Sequence, residues 1–95
     1  MNVDFSSIYN HHERAVAEAV RAIAPRYPHL VNEDALADIA CVALNRLPPR
    51  YIRHEVDFAF YLTDKERLEN ERAIDEAVAF AFEFVQARAA MRARR

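Results

Sequence analysis

"EDALADIACVALNRLPPRY" occupies residues 33–51. From Ala35 to Leu47 almost every position is apolar, the pattern of a helix packed on all sides. The exceptions are Asp38, Asn45 and Arg46. Asp38 and Asn45 lie two turns apart and share a face. Asn32 precedes the run and suits an N-cap, while Glu33 and Asp34 suit the positive end of the helix dipole. Pro48 bars Leu47 from helical geometry, and Pro49 does the same to Pro48. The helix therefore ends near Arg46, and the chain leaves it extended.

Outward from this stretch the pattern stays helical. Ile8, His12, Val16, Ala19 and Ile23 repeat at helical spacing and predict a helix over 8–24, capped by Ser6 or Ser7 and stopped by Pro25 and Pro28. Towards the C-terminus, Thr63 with Glu66 forms a capping-box pair. Acids crowd the turns that follow and arginines crowd the chain's end, both in the sense the helix dipole favours. Ala73, Ala77, Phe80, Phe84, Ala87 and Met91 form one stripe of this long helix. Ile74, Val78, Ala81 and Val85 form a second beside it. Two stripes exceed what one contact surface needs, so the surplus is expected to pack on a second subunit. Between the helices, "HEVDFAFYLT" (54–63) alternates Val56, Phe58, Phe60 and Leu62 with Asp57, Ala59 and Tyr61, which reads as a strand. Such a strand must pair with a copy in another subunit or with the extended segment Arg50–Arg53. The expected architecture is one mainly α domain over residues 1–95. It has three main helices and one short extended or strand segment, and it forms a two-fold homodimer.

Composition excludes several functions. The chain has 95 residues, one cysteine, no glycine and a net charge of −2. No intramolecular disulfide or cysteine-rich zinc site can form. A P-loop or a dinucleotide-binding fingerprint needs glycine. The mild negative charge does not favour nucleic acid. Met1–Arg14 lacks the pattern of a signal peptide. The longest apolar run, "AVAFAFEFV" (77–85), is far short of the ~20 residues of a membrane span. A soluble cytoplasmic protein without membrane contact is expected. His11 and His12 point about 100° apart on a helix and have no third ligand nearby, so no metal site is expected. Ser6, Ser7 and Thr63 have no paired base, so no catalytic residue, enzyme activity or cofactor is expected. Cys41, on an apolar helix, reads as a small core residue.

Residues 46–54, "RLPPRYIRH", hold three arginines, a histidine and no acid. Two prolines stiffen the backbone, so little ordering entropy is lost on binding. Arginine presents a planar fork to phosphate. Tyr51 offers a ring on which a base stacks. Asp38 and Asn45 match the donors and acceptors of a base edge. A phosphorylated, ring-containing ligand fits this set. The same residues also admit a plainer reading. Pro-Pro is an ordinary helix stop, Asn45 an ordinary C-cap, the arginines an answer to the helix dipole, and Tyr51 a half-buried core residue.

"ADIACVALNRLPPRY" (37–51) resembles the signature of the ComFB family, the late-competence-development proteins, in which an Asp-Ile pair leads through an apolar helix to Ala-Leu-Asn-x-Leu-Pro-Pro-x-Tyr. The resemblance implies a small, mostly helical homodimer without catalytic activity. Some ComFB-like proteins are receptors for cyclic di-GMP, and carrying that over marks Asp38, Asn45, Arg46, Arg50 and Tyr51. Arg53 joins them from its charge. Some members hold zinc with cysteines ahead of the motif. Here that region, "YPHLVNEDALADIA" (27–40), has none, so no zinc is expected. The leading expectation is a cytoplasmic signalling protein that binds cyclic di-GMP and acts on a protein partner the sequence does not name. The alternative is a constitutive protein–protein adaptor with no nucleotide ligand. A third reading, nucleic-acid binding through Arg92, Arg94 and Arg95, rests on the basic C-terminus alone.

Overall fold

A computed structural model of the chain describes residues 3–56, 59 and 62–93. The fold is mainly α. The helices α1 (His12–Ile23), α2 (Glu33–Arg46) and α3 (Asp64–Ala93) accompany a short antiparallel ladder of β1 (Tyr9–Asn10) and β2 (Tyr51–Ile52). α2 packs along α3, and α1 lies against both. No helix among the described residues is long and apolar enough to cross a membrane.

Helix boundaries follow the chemistry of their ends. The Asn32 side chain accepts from the Ala35 backbone N–H at 2.8 Å and caps α2. At the far end Leu47 turns to an extended φ/ψ of −98°, 138°, as the following proline demands. Thr63 caps α3. Its hydroxyl accepts from the Glu66 backbone N–H at 3.1 Å and donates to the Glu66 carboxylate at 3.2 Å. Between α1 and α2, two short 3₁₀ turns (Ala24–Arg26 and Pro28–Leu30) carry the two expected stop prolines. They are anchored on the second half of α3. The Tyr27 ring stacks on Phe82 with centroids 4.8 Å apart, and its hydroxyl donates to Glu83 at 2.7 Å, which raises the phenol above its ordinary value.

The core joins Val16 and Val20 of α1, Ile39 and Ala43 of α2, Leu47, and Ile74, Val78, Ala81, Phe82 and Val85 of α3. The second of the two expected α3 stripes is therefore the core stripe. The first is mostly surface: Ala77 is buried in the core, while Ala73, Phe80, Phe84, Ala87 and Met91 are exposed.

Three expectations change. Glu55, Val56 and Ala59 are helical, so the stretch read as a strand is not one over its described residues. Asp57, Phe58, Phe60 and Tyr61 lie outside the described residues. The chain's extended segment is instead β2, and its partner is β1 of the same chain. Second, α1 begins at His12 rather than near Ile8, because Tyr9 and Asn10 are committed to the ladder. Neither serine caps it, and Asn10 Oδ1 accepts from the His12 N–H at 3.1 Å. Third, α2 is not buried on all sides. Ile39 and Ala43 are buried, Leu36, Ala40, Val42 and Leu44 half-buried, and Ala37 and Cys41 exposed. Cys41 is thus a free surface thiol and not a core residue.

Phe82, at the junction of α3 with the 24–30 turns, is the largest fully buried side chain among the described residues. Phe82→Ala should cost about 3–5 kcal/mol, read as a lowered midpoint in urea denaturation. A loss below about 1 kcal/mol would show that the junction collapses freely around the deletion.

Candidate functional site

The corner after α2 is held at both ends. Leu47 inserts into the core with 6% of its surface exposed. Pro48 and Pro49 then carry the chain across the start of α1, where β2 pairs with β1 in the register Tyr9–Ile52 and Asn10–Tyr51. Asn10 is the clasp. Its side-chain oxygen is buried and accepts from the backbone N–H of both His12 (3.1 Å) and Arg50 (3.3 Å). The His11 N–H donates to the Arg50 carbonyl at 2.7 Å. Both backbone polar groups of Arg50 are thus satisfied, and its position is fixed relative to α1.

Side chains follow from this backbone. Successive residues of a strand face opposite ways. Tyr51 is 67% exposed, whereas Ile52 is half-buried. Arg50 lines a cavity of about 330 Å³ with His12, Pro48, Pro49, Asn70 and Ala73. Arg53 donates from Nε to the Ser7 hydroxyl at 3.3 Å. On the last turn of α2 the Arg46 guanidinium lies over the Phe80 ring, 3.7 Å from its centroid. Arg46, Arg50, Tyr51 and Arg53 are thus carried on one stretch of chain, the last turn of α2 and the extended segment after it.

The two polar residues expected to read a base are engaged elsewhere. Asn45 is exposed, and its amide donates to the Cys41 carbonyl one turn back at 3.0 Å. It is not the C-cap, a place Leu47 takes. Asp38 pairs with Arg88 of α3 at 3.3 Å. Eight residues separate it from Arg46, about 12 Å along the helix. It lines a different cleft, of about 250 Å³, with Asn32, His29, Arg88 and Arg92.

Sequence reasoning passed over Asn10, His12 and Asn70. His12 appeared as a member of a helical stripe and, with His11, as a rejected metal ligand. It is buried, and its Nδ1 has no hydrogen-bond partner among the described residues. Burial holds the imidazole below its ordinary value, and the positive potential of His11 and Arg50 acts in the same sense. A hydrogen bond to the Pro48 carbonyl opposes them. A neutral His12 therefore underlies the corner. The neighbouring His11 instead meets a carboxylate, with Nδ1 2.9 Å from Glu55 Oε2. No local sequence signal marks Asn10, because its partner lies forty residues away.

The family model for the late competence development protein ComFB matches residues 9–89. The match runs from β1 through the proline corner and most of α3. No curated protein and no solved structure is significantly similar to the chain.

The depressed basicity of His12 makes the corner acid-sensitive. The folded chain holds this proton less tightly than the unfolded chain. The stabilisation is complete above the unfolded value near 6.5 and is lost as pH falls below it towards the folded value. Thermal unfolding followed from about pH 7.5 to about pH 5.5 should show a smaller fall in Tm for His12→Gln than for the wild type. Parallel curves would remove His12 as the source.

Proposed function

The chain belongs to the ComFB family, and on that premise we propose that it is a non-enzymatic signalling receptor that binds cyclic di-GMP at the proline corner and works as a homodimer. The observation that supports this reading is that Arg46, Arg50, Arg53 and an exposed Tyr51 follow one another within eight residues on a backbone fixed by two prolines and by Asn10.

A cyclic dinucleotide carries two phosphates and two purine bases. The arginine forks supply charge-assisted hydrogen bonds to phosphate oxygens. Tyr51, with its ring turned to solvent, supplies the stacking platform. A guanine presents N–H donors on its edge, which an amide or carboxylate oxygen accepts. Asn45 serves that role once its side chain turns from Cys41, since its carbonyl oxygen is not used in the bond to that residue. Asp38 contributes to a base only if it exchanges Arg88 for the ligand. The rigid part of the site is thus the phosphate and stacking part, and the base-reading part rearranges. Binding therefore selects among side-chain arrangements on α2 and α3 and alters the surface offered to a protein partner.

Calorimetric titration with cyclic di-GMP, with cyclic di-AMP and GTP as controls, tests this reading. Binding with micromolar or tighter affinity is expected. Arg50→Ala should weaken it about tenfold to a hundredfold with the helical circular dichroism unchanged, the loss of one charge-assisted contact. Tyr51→Ala should act similarly. Absence of binding at a large excess of ligand, or Arg50→Ala binding as the wild type does, overturns the proposal and leaves the corner as a protein-docking surface.

A further inference from the structure

The exposed stripe of α3 is self-complementary. About the level of Phe82, Phe80 mirrors Phe84 and Ala73 mirrors Met91, while Ala77, the counterpart of Ala87, is buried in the chain's own core and takes no part. Glu76 mirrors Arg88 at the edge of the same face. Phe82 itself points the other way, into the core. Phe80, Phe84 and Met91 are 40%, 46% and 69% exposed. A stripe that reads the same from both directions matches an antiparallel copy of itself, which is the requirement of an isologous two-fold interface.

Charge along the helix has the same symmetry requirement. Acids outnumber bases from Asp64 to Glu76, and bases outnumber acids from Ala77 to Ala93. Antiparallel pairing sets each acidic half beside the partner's basic half, and a parallel pairing would set like beside like.

The shape of the single chain points the same way. Its accessible surface is 7429 Å², against about 5,600 Å² for a folded monomer of 11.0 kDa. Its radius of gyration is 15.6 Å, against about 12 Å for a compact domain of this length. The chain is a slab 19 Å thin, with surplus surface on the scale that a stable interface buries.

We propose that this stripe is the seam of the homodimer, with two copies of α3 antiparallel about a two-fold axis at the level of Phe82. The proposal rests on the reading of the protein as a homodimer and adds to it the face, the direction and the register. It has a consequence for the corner. Arg46 covers the Phe80 ring, so in this register it lies on the rim of the seam, next to the partner's Phe84. The residue assigned to a phosphate is also a residue of the seam, and ligand binding and pairing are coupled through it.

Disulfide trapping tests the register. In a Cys41→Ser background, one chain carries Ala73→Cys and another Met91→Cys. In the proposed register the two positions face each other across the seam. Two copies of the same position are about 27 Å apart along the helices, beyond the reach of a disulfide. Oxidation should give a covalent dimer from the mixture of the two variants and none from either alone. Self-linking of either variant indicates a parallel pairing and overturns the proposal. No linkage in the mixture, with sedimentation still showing a dimer, overturns the seam and leaves the homodimer standing on another face. A monomer in sedimentation removes the homodimer and the seam together.

Discussion

Pro48 cannot follow a helical residue without a clash, and this one steric fact organises the molecule. It forces Leu47 out of α2 at the point where the leucine side chain reaches the core. The chain must then leave in an extended form, and the extended form needs partners for its backbone groups. Tyr9 and Asn10 supply them, and so the segment before α1 is drawn into a ladder with a segment forty residues on. The backbone that carries the three arginines and Tyr51 follows from this constraint. Three of the four stand on the extended segment itself, and the fourth closes the helix that the proline ends.

Much of this was legible in the sequence because its causes are local. Asn32 caps α2, Thr63 caps α3 and Pro48 ends α2, each through a neighbour within four residues. What depended on distant pairing was not legible. The apolar spacing at Ile8 and His12 suits a helix, yet residues 9–10 pair with 51–52, and no local period records a partner at that separation. The strand reading of 54–63 failed for a related reason. Val56 and Phe60, or Phe58 and Leu62, are four apart as well as alternating, so the short run fits a helical face too. A lone strand there would have lacked a partner, whereas a helical turn satisfies its backbone within itself, and the described residues Glu55, Val56 and Ala59 are helical. The candidate site divided along the same line. The corner residues came together because adjacent sequence holds them. Asp38 and Asn45, joined to the site by resemblance and face-sharing, are engaged with Arg88 and Cys41.

The burial of α2 was overestimated for an instructive reason. An all-round apolar helix signals full burial in a protein large enough to surround it. In a chain of 95 residues, α1, α2 and α3 cover only one side of each other. Ala37 and Cys41 are left outside by the described residues, as are Phe80 and Phe84. Apolar content therefore reports on the assembly, while the structure of one chain reports on the fold. Where the two disagree, the missing area locates what the chain lacks.

Arg46 is where the two halves of the functional argument meet. A guanidinium 3.7 Å above a phenylalanine ring gains from the ring's negative face and keeps its N–H edges free for acceptors in the ring plane. Such a group can hold a phosphate without releasing the ring, which a lysine in its place would not do as well. If the Phe80 face is covered by a partner, the guanidinium is further desolvated, and its attraction for an anion strengthens as the local dielectric falls. Pairing then favours ligand, and by reciprocity ligand favours pairing. On the proposed reading, the concentration of a dinucleotide becomes a change of assembly through one side chain that serves both surfaces.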